Sequence, residues 1–107
     1  MASPAAQDAV FAALSDPTRR TLMKMLGETG PATPTELAAR LPVSRQAVAK
    51  HLGSLAGAGL VESARSGREV FYRLTPEPLS DAAAWMADVG AQWDTRLAAL
   101  ERALVKP

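Results

Sequence analysis

The chain has 107 residues, 48% of them hydrophobic, a formal net charge of +1 and no cysteine. Such a length fits one domain of ordinary size, and the composition excludes a disordered chain. Without thiols there are no disulfides, no thiolate metal sites and no thiol redox sensing.

The opening Met1-Ala2-Ser3-Pro4 lacks the basic and apolar regions of a signal peptide, and no apolar run reaches membrane-spanning length. A cytoplasmic protein is expected. Ala5–Leu14 reads as a first helix with an apolar face of Val10, Phe11 and Leu14. Asp16-Pro17-Thr18 opens a second helix, an N-cap followed by Pro at the first helical position. It continues through Leu22, Met23, Met25 and Leu26 and is expected to stop at Gly27 and the Gly30-Pro31 breaker. Arg19 and Arg20, early in this helix, read as a solvated or ion-paired face, with a direct DNA role as the alternative.

Residues 33–60 carry the strongest signal. Thr33, Pro34 and Glu36 compose a capping box with Pro in the first turn, which predicts a short helix. Pro42 is expected to end it, because Pro disfavours the helical region for Leu41. Ser44 caps a second helix from Arg45 to about Ala56. Within it Val48, Leu52 and Leu55 recur at helical spacing and predict the buried stripe. Arg45, Gln46, Ala49, Lys50 and Gly53 then point largely away from it. Two short helices joined by a tight turn, the second led by polar and basic residues, are how many proteins enter the major groove of DNA. Gln pairs with adenine and Arg with guanine through paired hydrogen bonds, and Ala49 is small enough to let the helix sit deep. The single histidine, His51, lies at the edge of the buried stripe, where it anchors the helix by a hydrogen bond or touches a phosphate.

After Gly57-Ala58-Gly59 the period changes. Leu60–Arg65 and Glu69–Leu74 are β-prone runs around Ser66-Gly67-Arg68, a hairpin signal. Arg65 and Arg68 at its tip suit a basic wing reaching phosphate or a minor groove. Between Arg40 and Arg73 six bases stand against two acids, whereas residues 76–107 hold three bases and five acids. Basic charge is thus concentrated on the segment assigned to DNA.

Thr75-Pro76-Glu77-Pro78 is expected to break the chain before a last helix over about 79–105. Leu79, Ala82, Met86, Val89, Trp93, Leu97, Leu100 and Leu104 advance along it by three or four, one apolar stripe of about 40 Å at ~1.5 Å per residue. That exceeds what the small domain in front of it can cover, so a second copy is the simplest partner. A ligand pocket lined by Trp85 and Trp93 is the alternative use.

Taken in order, Ala13–Arg20, Glu36–Ala38, Ser44–Leu52, Leu55–Val61 and Gly67–Leu74 resemble the ArsR (arsenic-repressor-like) family of bacterial winged-helix repressors. The Trp-x7-Trp spacing of the last helix is similar to a branch that does not sense metal. The resemblance implies a mainly α fold with a small β-hairpin, α-α-α-α-β-β-α, as one winged helix-turn-helix domain over 1–107. Its helix-turn-helix would span about 33–56, the wing about 60–74 and the dimerisation helix about 79–105. It also implies a homodimer packed through first and last helices, bound to an inverted-repeat operator so as to occlude a promoter. Val10, Phe11, Leu79, Met86, Val89, Trp93, Leu97 and Leu100 are the expected dimer residues. Ser44, Arg45, Gln46, Ala49, Lys50, His51, Arg65 and Arg68 are the expected DNA residues. A metal site does not carry over. Where thiolate sensors place cysteines the chain has Leu37, Ala38, Ala39 and Arg40, and the last helix offers Asp81, Asp88 and Asp94 with no histidine. No cofactor is expected.

No nucleophile–base–acid set and no phosphate-cradling glycine loop is present, which argues against an enzyme. A winged-helix interaction module without DNA binding, and a regulator answering to a small molecule, are the alternatives. The effector is left open by the sequence: a small organic molecule, a partner protein and autoregulated concentration all fit.

Overall fold

Among the described residues, four of five helices begin on a side chain that caps them, and this local chemistry sets most of the architecture. The computed structural model describes residues 3–105. It orders them as α1 (Pro4–Leu14), α2 (Pro17–Thr29), α3 (Pro34–Ala38), α4 (Arg45–Gly57), β1 (Val61–Ser66), β2 (Glu69–Leu74) and α5 (Pro76–Leu104). This is the mainly α fold with a two-stranded hairpin that the sequence implied. Ser3, Asp16, Thr33 and Ser44 each accept a backbone N–H of the turn they open. The donors from Arg19 and Thr18 hold the Asp16 carboxyl below its ordinary value. The Thr33–Glu36 box is reciprocal, and the Thr33 N–H lowers the Glu36 carboxyl in the same way.

Three boundaries differ from expectation. Helix α2 runs through Gly27 to Thr29 and is closed by Gly30 at φ +82°. Gly27 serves packing instead, since a Cβ there would stand 3.3 Å from Leu74 Cδ1. Helix α3 ends at Ala38, well before Pro42. Arg40 and Leu41 donate to Leu37 and Ala38 in tight three-residue turns, which tuck Leu41 and Val43 against the core. Pro76 and Pro78 lie inside the first turn of α5, where a missing N–H costs no helical bond.

The core gathers one face from nearly every element: Leu22 of α2, Leu37 of α3, Val48, Leu52 and Leu55 of α4, and Leu60 are its fully buried large side chains. Helix α4 closes with Gly59 N–H on Ala56 O and Leu60 N–H on Leu55 O, both 3.0 Å. With Gly59 at φ +77° this is a Schellman motif, and Leu55 and Leu60 supply its apolar contact. The chain then leaves α4 directly into β1.

Strands β1 and β2 pair antiparallel from Val61↔Leu74 to Ser66↔Glu69. The turn is therefore two residues, Gly67-Arg68, rather than the three expected. Only Gly67 has positive φ, which matches a type II′ turn. Ala32 and Tyr72 exchange both backbone hydrogen bonds, at 2.8 and 3.1 Å, and tie the entrance of α3 to β2.

Helix α5 is 29 residues, about 44 Å at ~1.5 Å per residue, and leaves the body. The radius of gyration is 18.6 Å, against about 13 Å for a compact chain of this length.

Candidate nucleic-acid interface

Helix α4 divides its surface cleanly. Burial of Val48, Leu52 and Leu55 fixes its rotation, and the opposite face then carries Arg45, Gln46 and Lys50 into solvent. Ser44 Oγ accepts from Ala47 N at 3.1 Å and holds the first turn, which carries two of these side chains. Arg45 is not free. Its Nε donates to Thr35 Oγ1 at 2.9 Å, across the turn that joins α3 to α4.

The hairpin stands beside this face. Between them lies a groove of about 310 Å³, walled by Thr33, Pro34, Thr35, Arg45 and Ala49 on the helical side. Arg68, Glu69, Val70 and Tyr72 wall the strand side. The Ala32–Tyr72 pairing fixes the spacing of the two walls through backbone rather than through side chains. Arg65 pairs in register with Val70 and so lies on the same hairpin face as Val70 and Tyr72. Arg73 lies on the other face, where Glu62 accepts from its Nε at 2.6 Å. It is thereby neutralised and points away from the groove, so it adds little to the basic excess counted in sequence. Glu69 puts a carboxylate at the rim, which limits where a phosphate could come close.

His51 takes a different place from the rest of the DNA set. It is half-buried, and its Nδ1 accepts from Arg19 Nε at 3.3 Å. The same guanidinium reaches Ala13 O at 3.3 Å, and Arg20 donates to Leu14 O at 2.7 Å. Arg19 is half-buried and Arg20 is exposed as expected, and both close the carbonyl end of α1, where cations are favoured. Through His51, Arg19 also ties that end to α4. The nearest sequence signal is the helix stop at Ser15 just ahead of two arginines. Thr35, Glu69 and Tyr72 were not singled out by sequence either, because only the fold brings them to the groove beside α4.

The residues assigned to self-association divide in two. Val10 is only 2% exposed and belongs to the chain's own core, which leaves it almost no surface for a partner. Phe11 is half-buried and meets Trp85 edge-on at 5.5 Å, and Leu79 is half-buried against the core. Met86, Val89, Trp93, Leu97 and Leu100 are exposed, Trp93 by 59%. Among the described residues, no group of three or more His, Asp or Glu is placed to hold a metal ion, and no helix is long and apolar enough to cross a membrane.

Known proteins share this arrangement. The family described as "Helix-turn-helix domain" matches residues 14–64. YuzN of Bacillus subtilis, an uncharacterized HTH-type transcriptional regulator, is 42% identical over 81 residues, 70% of this chain and 88% of its own length. The transcriptional repressor SdpR of the same organism is 34% identical, over 72% of this chain and 84% of its own. A solved ArsR-like transcriptional regulator from a Rhodococcus species is 48% identical and superposes with a TM-score of 0.78 over 92% of each chain. With the fold, the exposed basic face of α4 and these relatives in agreement, the chain belongs to the ArsR family of winged helix-turn-helix, DNA-binding transcriptional regulators.

Proposed function

We propose that the protein is a sequence-specific repressor that binds an inverted-repeat operator as a homodimer and occludes the promoter it covers. The observation that carries this reading is the outward face of α4, with Arg45, Gln46 and Lys50 exposed beside a hairpin tipped by Arg68. In each subunit Arg45 and Gln46 read base edges in the major groove, and Lys50 holds the backbone beside them. Arg65 and Arg68 hold the flanking phosphates. Ser44 keeps the helix end in place, Ala49 lets the helix approach, and His51 acts by anchoring α4 rather than by touching DNA.

The exposed stripe Met86, Val89, Trp93, Leu97 and Leu100 supports a second copy as the partner of α5, because so continuous an apolar face is rarely left open to water. Phe11 and Leu79 border that contact. Two-fold symmetry then sets half-site centres about one helical turn, ~34 Å, apart. Footprinting on the promoter of the protein's own transcription unit tests this. Two protected half-sites related by a dyad are expected. No protection at low salt would leave a fold kept for protein contacts alone.

A further inference from the structure

We propose that Thr35 is a positioning residue for Arg45, and that this contact makes Arg45 a determinant of operator sequence. The inference rests on the reading that α4 lies in the major groove, and it assigns to α3 a part in specificity.

Arg45 is the first residue of α4 and is exposed, so without a partner its long side chain would sample many rotamers. The 2.9 Å hydrogen bond from its Nε to Thr35 Oγ1 selects one. A guanidinium has five N–H donors in a rigid plane. Engaging Nε leaves the donors of Nη1 and Nη2 uncommitted by this bond, and two parallel donors suit O6 and N7 of guanine. A phosphate clamp tolerates many orientations of a cation, whereas base reading does not. The fixed orientation therefore favours the base-reading use of Arg45.

Thr35 is well suited to hold it. It lies in the first turn of α3, which the Thr33–Glu36 box pins and the Ala32–Tyr72 pairing ties to β2. Arg45 is thus referenced to the hairpin as well as to its own helix, and both walls of the groove set the place where the guanidinium emerges.

The test compares Thr35→Val, which keeps the shape and loses the hydroxyl, with Thr35→Ser, which keeps the hydroxyl. Fluorescence anisotropy at one salt concentration reads each on the footprinted operator and on a scrambled duplex, and circular dichroism checks the fold. Thr35→Val is expected to lower the operator-to-scrambled affinity ratio about tenfold, the loss of a good part of one bidentate base contact. Thr35→Ser restores the ratio, and Thr35→Val changes nothing further in an Arg45→Ala background. Equal losses on both duplexes would make Arg45 a phosphate contact and overturn the proposal. So would a ratio that Thr35→Val leaves intact while Gln46→Ala lowers it, an outcome that spares the base-reading role of α4. A wild-type protein that does not distinguish the two duplexes overturns both.

Discussion

Helices α4 and α5 carry apolar stripes of the same spacing, yet only one is covered. In α4 the stripe of Val48, Leu52 and Leu55 has no exposed surface at all. In α5 only Ala82 is buried, while Trp93 and Leu100 are 59% and 55% exposed. The difference lies in what stands opposite. Helix α4 is surrounded by α2, α3 and β1, whereas α5 meets α1 near Phe11 and Trp85 and then runs beyond it. An amphipathic pattern predicts that a face needs a partner, and geometry decides whether the chain itself supplies one.

The largest effect is expected inside α4. Leu52→Ala removes a wholly buried side chain and should cost about 2–5 kcal/mol of folding stability. Urea unfolding should show the same loss at every protein concentration, because the cavity lies within one chain. A small or concentration-dependent loss would mean that the α4 stripe is shared between copies.

On α5 the matching substitution should act on association instead. Trp93→Ala is expected to weaken dimerisation by roughly 2–4 kcal/mol, the range of a central aromatic anchor. Sedimentation should shift towards single copies while far-ultraviolet circular dichroism keeps the signal of the folded body. If sedimentation is unchanged, a second copy is not what covers the stripe.

The sequence was most informative where three or four neighbouring residues hold the whole instruction. The Thr33–Glu36 box, the Ser44 cap and the Val48–Leu52–Leu55 stripe all appear in the fold as read, since each is complete within one or two helical turns. What escaped it depends on distant chain. Arg19 and His51 are 32 residues apart, so the closure of α1 and the anchoring of α4 could not be seen in local pattern. Val10 lay on an apolar face, but whether that face meets its own core or a partner is settled only once α2, α4 and α5 are in place. Gly27 reads as a stop in isolation and is an approach point for Leu74 in three dimensions. Arg45 and Thr35 are ten residues apart and meet across the turn that follows α3, which ends at Ala38 rather than against Pro42.

The outer face of α4 and the hairpin tip differ in a further way, and two smaller effects sharpen the contrast. Gln46→Ala should relax base preference at one operator position, at a cost of about 1–3 kcal/mol. Equal loss on operator and random duplex would deny Gln46 a base-reading role. Arg68→Ala should weaken all sequences alike and flatten the plot of log affinity against log salt by about 0.9, one phosphate contact. A loss confined to the operator would instead place Arg68 against a base.

The smallest effect probes how α4 lies. Gly53 is exposed two turns from the start of the helix, and a Cβ built there meets no atom within 4 Å. Gly53→Ala should therefore stabilise the fold by up to about 1 kcal/mol, the gain in helix propensity. Recognition helices contact bases mainly through their N-terminal residues. A helix entering the groove end-on at Arg45 and Gln46 would carry Gly53 away from the duplex, and operator affinity should then stay within about twofold, well under the tenfold of ~1.4 kcal/mol. A helix lying flat along the groove would bring the DNA against that glycine. In that geometry the added methyl would raise the melting temperature and lower operator affinity together. The end-on geometry gives the first result without the second.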